Sequence, residues 1–368
     1  MKDSRQEGKI VYQLSDMIIL TITAVIAGAE TWRDITNFGE SKLDWLKQYG
    51  DFEHGIPPRQ TLGRIMGAMC PTAFQICFIK WMNEFHDRTK GNIIAVDGKT
   101  LRHSYNKEKN IGAIHMVSAF CVRNQLVLGQ VKTSEKSNEI TAIPELIELL
   151  DLRKCLVTID AMGCQTDIAK KIIEKEGDYL LQVKGNQPKL LEAFEKELPF
   201  IKVQEILETT DATYFETKSM EHGREEKRQY FIFDPMGDLK RVYGHWEQVQ
   251  KVGVALRYFK KKGEEGFNIG IRYYITSKEM GPEEFGQSVR GHWGIENNLH
   301  WNLDVSMSED ASKIHVSNAA ENLSTVRRAA LNLIKQNKAD KGGVKAKQKL
   351  ASYDESFLAS VLEGSEAV

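Results

Sequence analysis

Cysteine is scarce: five residues in 368, at positions 70, 77, 121, 155 and 164, with no Cys-x-x-Cys pair. An odd number without that spacing argues against a disulfide framework or a zinc ribbon. Cys164 follows closely on Asp160, but no basic residue stands beside it in sequence to draw off its proton, so it reads as a buried thiol. Excess charge of either sign is missing as well. Lys and Arg number 50 against 51 Asp and Glu, a formal charge of -1, so no global positive field announces nucleic acid and any such binding must come from a local patch. Long hydrophobic runs are absent too. Residues 17–28 are the one stretch that could pass for a membrane segment, and it falls short of the roughly 20 apolar residues a bilayer needs. Asp3, Glu7 and Asp16 spoil the basic leader of a secretory signal, which leaves a cytoplasmic protein without membrane contact as the expectation.

What is present is a 41% hydrophobic share, ample for packed cores, on a length that suits two or three folded units. Residues 1–90 read as a helical domain: Ser15 and Ser41 can each cap a helix, Pro71 suits the first turn of a third, and Gly55-Ile56-Pro57-Pro58 breaks the pattern. From Asn92 the period changes to strands, over 93–97, 114–122 and 126–131. A helix with Ile140, Ile143, Ile147 and Leu150 on one face follows, then a strand ending at Asp160, a helix over 165–176, a strand over 179–183 and a helix after Pro188. Three consecutive strands and two strand-helix crossovers are the element order of a ribonuclease H-like sheet, in which the first and fourth strands are neighbours. Residues 205–280 alternate again, as in Val252, Val254, Leu256 and Tyr258, and form a β-rich insertion into that α/β core, whose two parts are 91–204 and 281–336. Residues 337–368 read as a basic flexible tail with a short terminal helix.

Three acids stand out against this background. Asp97 ends the apolar run Ile93-Ile94-Ala95-Val96, Asp160 ends Leu156-Val157-Thr158-Ile159, and Glu296 shares a helix face with Phe285, Val289, Trp293, Leu299 and Leu303. Either aspartate taken singly can equally be a turn or helix cap. A carboxylate at the end of a buried strand, however, is costly to desolvate unless something charged meets it. Adjacent first and fourth strands would bring Asp97 and Asp160 together across 63 positions (160 minus 97), and three carboxylates brought together repel until a cation joins them. Mg²⁺ or Mn²⁺ is therefore the expected cofactor; two such ions about 3.5–4 Å apart can activate water on one side of a phosphodiester and stabilise the leaving oxygen on the other. Gly286, Gly291 and Gly294 each weaken the glutamate's helix by about 1 kcal/mol relative to Ala, so a break near His292 is expected. Lys99 and Lys184 follow the strand ends and are either phosphate contacts or plain surface charges. His292-Trp293 and His300-Trp301 flank Glu296; their faces could stack on an extruded base, with core packing the other reading of Trp293. Between 311 and 350 nine basic residues, Arg327 and Arg328 among them, stand against two acids, which fits either a phosphate-tracking surface or a solvated tail.

The segments Val96-Asp97-Gly98-Lys99-Thr100-Leu101-Arg102, Lys136-Ser137-Asn138-Glu139-Ile140, Thr158-Ile159-Asp160-Ala161-Met162-Gly163-Cys164-Gln165, Lys184-Gly185-Asn186-Gln187 and Arg290-Gly291-His292-Trp293-Gly294-Ile295-Glu296-Asn297 resemble those of DDE transposases of bacterial insertion sequences, in the H-repeat-associated branch above all. The likeness keeps a fixed order from about residue 10 to residue 336. It implies a ribonuclease H-like catalytic domain interrupted by a β insertion, Mg²⁺-dependent cleavage at element ends, transfer of the freed 3′-hydroxyl into target DNA, and a homodimer when synapsed on double-stranded DNA. By motif position Asp97, Asp160 and Glu296 would be the catalytic, metal-binding triad, with Lys99, Lys184, Arg290, His292, Trp293, Arg327 and Arg328 as DNA contacts. Broader relatives carry Arg four residues before the glutamate and Lys seven after it; here stand His292 and Leu303, so Arg290 is the candidate substitute. Two rivals stay open: a structure-selective nuclease of the same fold, and an inactive descendant that only binds DNA.

Overall fold

Five helices open the chain in the computed structural model, which describes residues 3, 5–84, 91–105, 112–133, 139–209, 214–221, 224–261 and 265–363. They are α1 (Leu14–Ile26), α2 (Trp32–Ser41), the single turn α3 (Leu43–Leu46), α4 (Arg59–Ala68) and α5 (Pro71–Asn83). Thr31 sets the start of α2: its hydroxyl accepts the Asp34 N–H at 3.2 Å while the Asp34 carboxylate accepts the Thr31 N–H at 2.9 Å, a capping box. Pro71 fills the first turn of α5 as expected, but Ser15 and Ser41 do not cap; Gln13 precedes α1, and Ser41 closes α2. The apolar stretch at 17–28 is core, with Leu20, Ala24 and Ile26 fully buried. Among the described residues no single helix is long and apolar enough to cross a membrane.

β1 (Ile93–Leu101), β2 (Ile114–Cys121) and β3 (Leu126–Lys132) form an antiparallel meander. α6 (Glu139–Leu149) leads into β4 (Leu156–Ile159) and α7 (Thr166–Glu174) into β5 (Asp178–Val183); Lys136, Ser137 and Asn138 lie outside the described residues. After α8 (Pro188–Glu197) and α9 (Phe200–Thr209) come β6 (Phe215–Glu221), β7 (Arg224–Phe233), α10 (Gly237–Val242), β8 (Lys251–Lys261) and β9 (Asn268–Thr276). These nine strands join one mixed sheet in the order β3-β2-β1-β4-β5-β9-β8-β7-β6. β1 and β4 are parallel neighbours, as are β4 and β5, and the alternating 205–280 region continues the same sheet through the antiparallel pair β5–β9. Every residue of β4 is buried, because helices cover both faces of the parallel part and polar alternation there would strand groups without water.

α11 (Pro282–His292) lies across one face, on β1, β4, β6 and β7. Its glycines have a packing reason: a Cβ at Gly286 would stand 2.7 Å from the Phe215 ring and 2.8 Å from the Tyr230 ring. After His292 the helix breaks as expected, into two π-helical stretches at Ile295–His300 and Asn302–Ser306. Such wide turns place a side chain where an α-helix would not.

α12 (Ala319–Gln336) then threads the molecule, touching α1, α4, α5 and β3, and is buried on nearly every side. Several of its polar side chains bond to the elements around it, while Asn322 Oδ1 and Arg328 Nε and Nη2 have no hydrogen-bond partner among the described residues. The Asn332 side chain bonds both the N–H and the carbonyl of Val127 at 2.8 Å, and Thr325 accepts from Gln130 at 2.9 Å. Through α12 the helices of 1–90 share a single hydrophobic core with the sheet, Leu20 and Ile79 with Val127 and Leu331. The expected flexible tail is packed instead. α13 (Val344–Tyr353) and α14 (Glu355–Glu363) bury Leu358 and Val361, and the Lys347 ammonium donates to the carbonyls of Asn337 at 2.6 Å and Ile334 at 3.3 Å.

Candidate active site

Strand register does the first part of the assembly. Val96 pairs with Ile159 across the parallel strands, so the next residues, Asp97 and Asp160, fall side by side, one strand spacing of about 4.8 Å apart in the backbone. β1 runs on to Leu101, with Asp97 opposite Ser118, so Asp97 sits inside its strand and not at the end expected of it. β4 does stop at Ile159. Asp160 there caps the turn Ala161–Gly163, its Oδ1 accepting the Met162 N–H at 2.9 Å, so the cap and the half-buried acid are one residue. Glu296 arrives from the first π turn and is exposed.

Asp97, Asp160 and Glu296 line one cavity of about 160 Å³, together with Gln182, Lys184, Tyr274 and His292. Among the described residues no three His, Cys, Asp or Glu side chains already stand as a ligand cluster for a cation. Carboxylates that share a cavity without a cation repel one another. Burial, and then the negative charges of Glu139, Asp160 and Glu296, push the Asp97 carboxyl from 3.8 to about 7, against a hydrogen bond from the Gly98 N–H that lowers it. Glu139 comes from the first residue of α6, its Oε1 2.7 Å from His115 Nε2, and a Cβ at Gly98 would collide with its carboxylate. Gly98 is thus needed for the approach of Glu139. His300 Nδ1 stands 3.6 Å from Asp97 Oδ2. Burial, with the positive charges of Arg328 and Lys99, holds the His300 pKa down to about 3, so a neutral ring faces the aspartate. His292 bonds Thr158 Oγ1 at 3.1 Å, and burial lowers its pKa as well.

A second hollow of about 170 Å³ adjoins the first and shares Arg272, Val289 and Trp293 with it. Arg228, Arg257, Arg272 and Arg290 all line it. Arg228 and Arg257 lie directly opposite each other on β7 and β8, a like-charge pairing that costs stability. Glu226 pairs with both, and Arg272 stacks its guanidinium 5.3 Å from the Trp293 ring. Trp293 is 37% exposed, so of its two readings core packing fails.

The family described as "Transposase DDE domain" matches residues 88–333, and its companion, "DDE_Tnp_1-associated", matches residues 1–82. The chain belongs to the DDE transposase family. Within it the similarity runs to the H-repeat-associated branch. "H repeat-associated putative transposase YhhI" of Escherichia coli (strain K12) is 46% identical over 99% of this chain and 96% of its own length. "Putative transposase YncI" of Escherichia coli O157:H7 is 49% identical over 98% of this chain and 92% of its own. Among solved structures, the piggyBac transposase synaptic complex with hairpin DNA aligns over 98% of this chain and 76% of that one, at TM-score 0.40 and 10% identity, too loose a likeness to build on.

Two groups of expected DNA contacts are placed elsewhere in this transposase. Lys99 is buried, its ammonium 2.7 Å from carboxylate oxygens of Asp304 and Asp310 and 3.6 Å from Glu309. Arg327 and Arg328 are buried in α12, where Arg328 Nη1 lies 2.9 Å from Glu309 Oε1. The charges of Lys99 and Arg328 are taken up by protein carboxylates, because a buried ammonium or guanidinium is costly unless paired, and the negative charge of Glu309 acts on Arg327 at longer range. Lys184, Arg290, His292 and Trp293 do line the two cavities. Missed by the sequence reading were Arg228, Arg257, Arg272 and Glu139. The three arginines come from three different strands, β7, β8 and β9, and no local pattern of charges singles them out.

The raised Asp97 pKa has a measurable consequence for the transposase. The native chain holds that proton up to about pH 7 and the unfolded chain only to about 3.8, so the contribution to stability is full below about pH 4 and is lost as pH rises through 7. In the presence of a chelator Asp97→Asn should then be more stable than the parent chain on the alkaline side, by on the order of 2–4 kcal/mol. Chemical denaturation across this range checks it; a difference that does not change with pH rules out the charge repulsion.

Proposed function

We propose that this chain cuts DNA at the ends of an insertion sequence and joins the freed 3′-hydroxyl to target DNA, on a ribonuclease H-like core whose sheet is extended by a β insertion. The observation that carries this reading is the meeting of Asp97, Asp160 and Glu296 on one cavity in which Asp97 is held at about pKa 7 by burial and neighbouring negative charge. Three carboxylates form an all-oxygen donor set that suits a hard cation, Mg²⁺ or Mn²⁺. These three residues would hold it, and bound there it supplies charge stabilisation to the attacking and leaving oxygens of an in-line displacement.

The chain's own residues do the positioning. The arginine-lined hollow beside the acids would take phosphates flanking the scissile one, Arg272 and Arg290 acting as charge-assisted donors. The exposed Trp293 face offers a stacking surface for a base beside the cut. Lys184, exposed at the cavity edge, adds a further phosphate contact. Orientation of this kind turns attack by water, and later by the 3′-hydroxyl, into an effectively unimolecular step. A homodimer would bring two ends together on double-stranded DNA.

The test is a plasmid carrying the element ends, incubated with the protein, Mg²⁺ and a second target plasmid. Ends joined to target are expected. Cutting without joining would replace this reading by the structure-selective nuclease, and binding without either by the inactive descendant.

A further inference from the structure

Two contiguous hollows of about 410 and 580 Å³, lined by none of the three acids, run between the α2–α4 region and residues 308–319, sharing Trp32, Arg59, Lys313 and Ile314. Four cations rim them: Arg33, Arg59, Arg64 and Lys313, all exposed. Among the described residues none of the four has a carboxylate within ion-pair distance. The one acid in the lining, Glu30, is already engaged, accepting from Ser308 Oγ at 2.8 Å and lying 3.6 Å from Lys345 Nζ. α4 also begins here, at Arg59, with no side-chain cap from Pro58. Its first amide hydrogens thus lack a side-chain acceptor, and the N-terminal end of the helix adds partial positive charge at the rim. In a chain whose 50 basic and 51 acidic residues nearly cancel, four unpaired cations around one groove are a local departure from balance.

We infer that this groove binds the phosphate backbone of duplex DNA, as a second contact separate from the acid cavity. The inference rests on the transposase reading for its choice of polyanion, and it gives the N-terminal helices a task. Cations on α2, α4 and the 308–319 segment come from three places in sequence, so the surface exists only in the fold. Phosphates would bind to guanidinium groups that need no prior release from protein carboxylates, in contrast to Lys99 and Arg328, which are held by them.

The experiment uses the full chain, a chelator to stop cutting, and a fluorescently labelled duplex of mixed sequence, with affinity measured over a salt series. Arg59→Ala/Arg64→Ala should weaken binding about tenfold or more and flatten the slope of log affinity against log salt by nearly two, at about 0.9 for each phosphate no longer neutralised. Lys313→Ala, from a different element, should flatten it by about one. Lys170→Ala/Lys240→Ala, with the same change of charge elsewhere on the surface, should leave the slope as it was. Parent-like slopes in the groove variants overturn the inference, and so does a change in self-association by sedimentation with DNA binding intact, which would make a second copy of the chain the occupant. If the plasmid assay joins ends while the groove variants bind as the parent does, the groove fails and the transposase reading stands; groove-dependent binding without cutting or joining gives the reverse.

Discussion

Asp160→Asn should lower cutting and joining by about three orders of magnitude while leaving folding stability within about 0.5 kcal/mol of the parent chain. The two halves of that expectation come from two jobs of one side chain. As a cap, Asp160 uses a single oxygen, Oδ1, on the Met162 N–H at 2.9 Å, and an asparagine carbonyl can accept the same bond. As one of three acids around the cavity, it needs its charge. Loss of a cation ligand removes several kcal/mol of transition-state charge stabilisation, and each 1.36 kcal/mol is a factor of ten in rate. Asp160→Ala removes the cap too and should cost about 1 kcal/mol of stability on top of the same loss of rate. Glu296→Gln, with no cap to lose, should match the asparagine variant in rate. Single-turnover cleavage and thermal unfolding, run side by side, separate the roles: an asparagine variant that still cuts at the parental rate leaves Asp160 as a cap and nothing more.

Much of the path to this site was legible from residue types. The change from helical to alternating period at Asn92 and the element order after it predicted parallel neighbours, and Val96 does pair with Ile159. The break near His292 followed from three glycines, and the chain goes over to π turns from Ile295. What the sequence concealed was burial of charge. Nine basic residues between 311 and 350 read as a phosphate-tracking surface or a solvated tail; Lys313, Lys338, Lys341, Lys345 and Lys349 are exposed, but Arg327, Arg328 and Lys347 are buried, where Arg328 meets Glu309 and Lys347 meets backbone carbonyls. A count of charges carries no information on which acids the fold brings to them. The same blindness hid the reverse case: Arg228, Arg257 and Arg272 sit on strands far apart from the acids in sequence, and only the continuation of one sheet through β5 and β9 puts their hollow beside Asp97. Asp97 itself reads as a strand end from its apolar run, because pairing of β1 with β2 beyond it depends on the partner strand and not on local pattern.

Lys99→Met should destabilise the chain by about 3–5 kcal/mol, read as a lower denaturation midpoint at unchanged slope. The ammonium is 7% exposed and sits among three carboxylates, two of them at 2.7 Å. Methionine fills the space but leaves Asp304, Glu309 and Asp310 facing one another with two cations beside them, Arg328 2.9 Å from Glu309 and the largely exposed Arg102 3.3 Å from Asp310. Taking one partner from a buried ion group costs more than the group contributes, since Asp304 and the fully buried Glu309 lose a close cation and the three negative charges are left to repel. Lys99→Met/Asp304→Asn, which removes one unit of each sign, should recover a good part of the loss. The consequence reaches the acids. Lys99 is two residues from Asp97 on β1, while Asp304 is eight residues beyond Glu296 on the second π turn, so the cage ties the strand bearing one acid to the segment bearing another. Weaker Mg²⁺ protection against unfolding in the single variant than in the double would show that tie. A loss below about 1 kcal/mol, the value of an exposed pair, would mean that water reaches the cage and that it holds nothing in place.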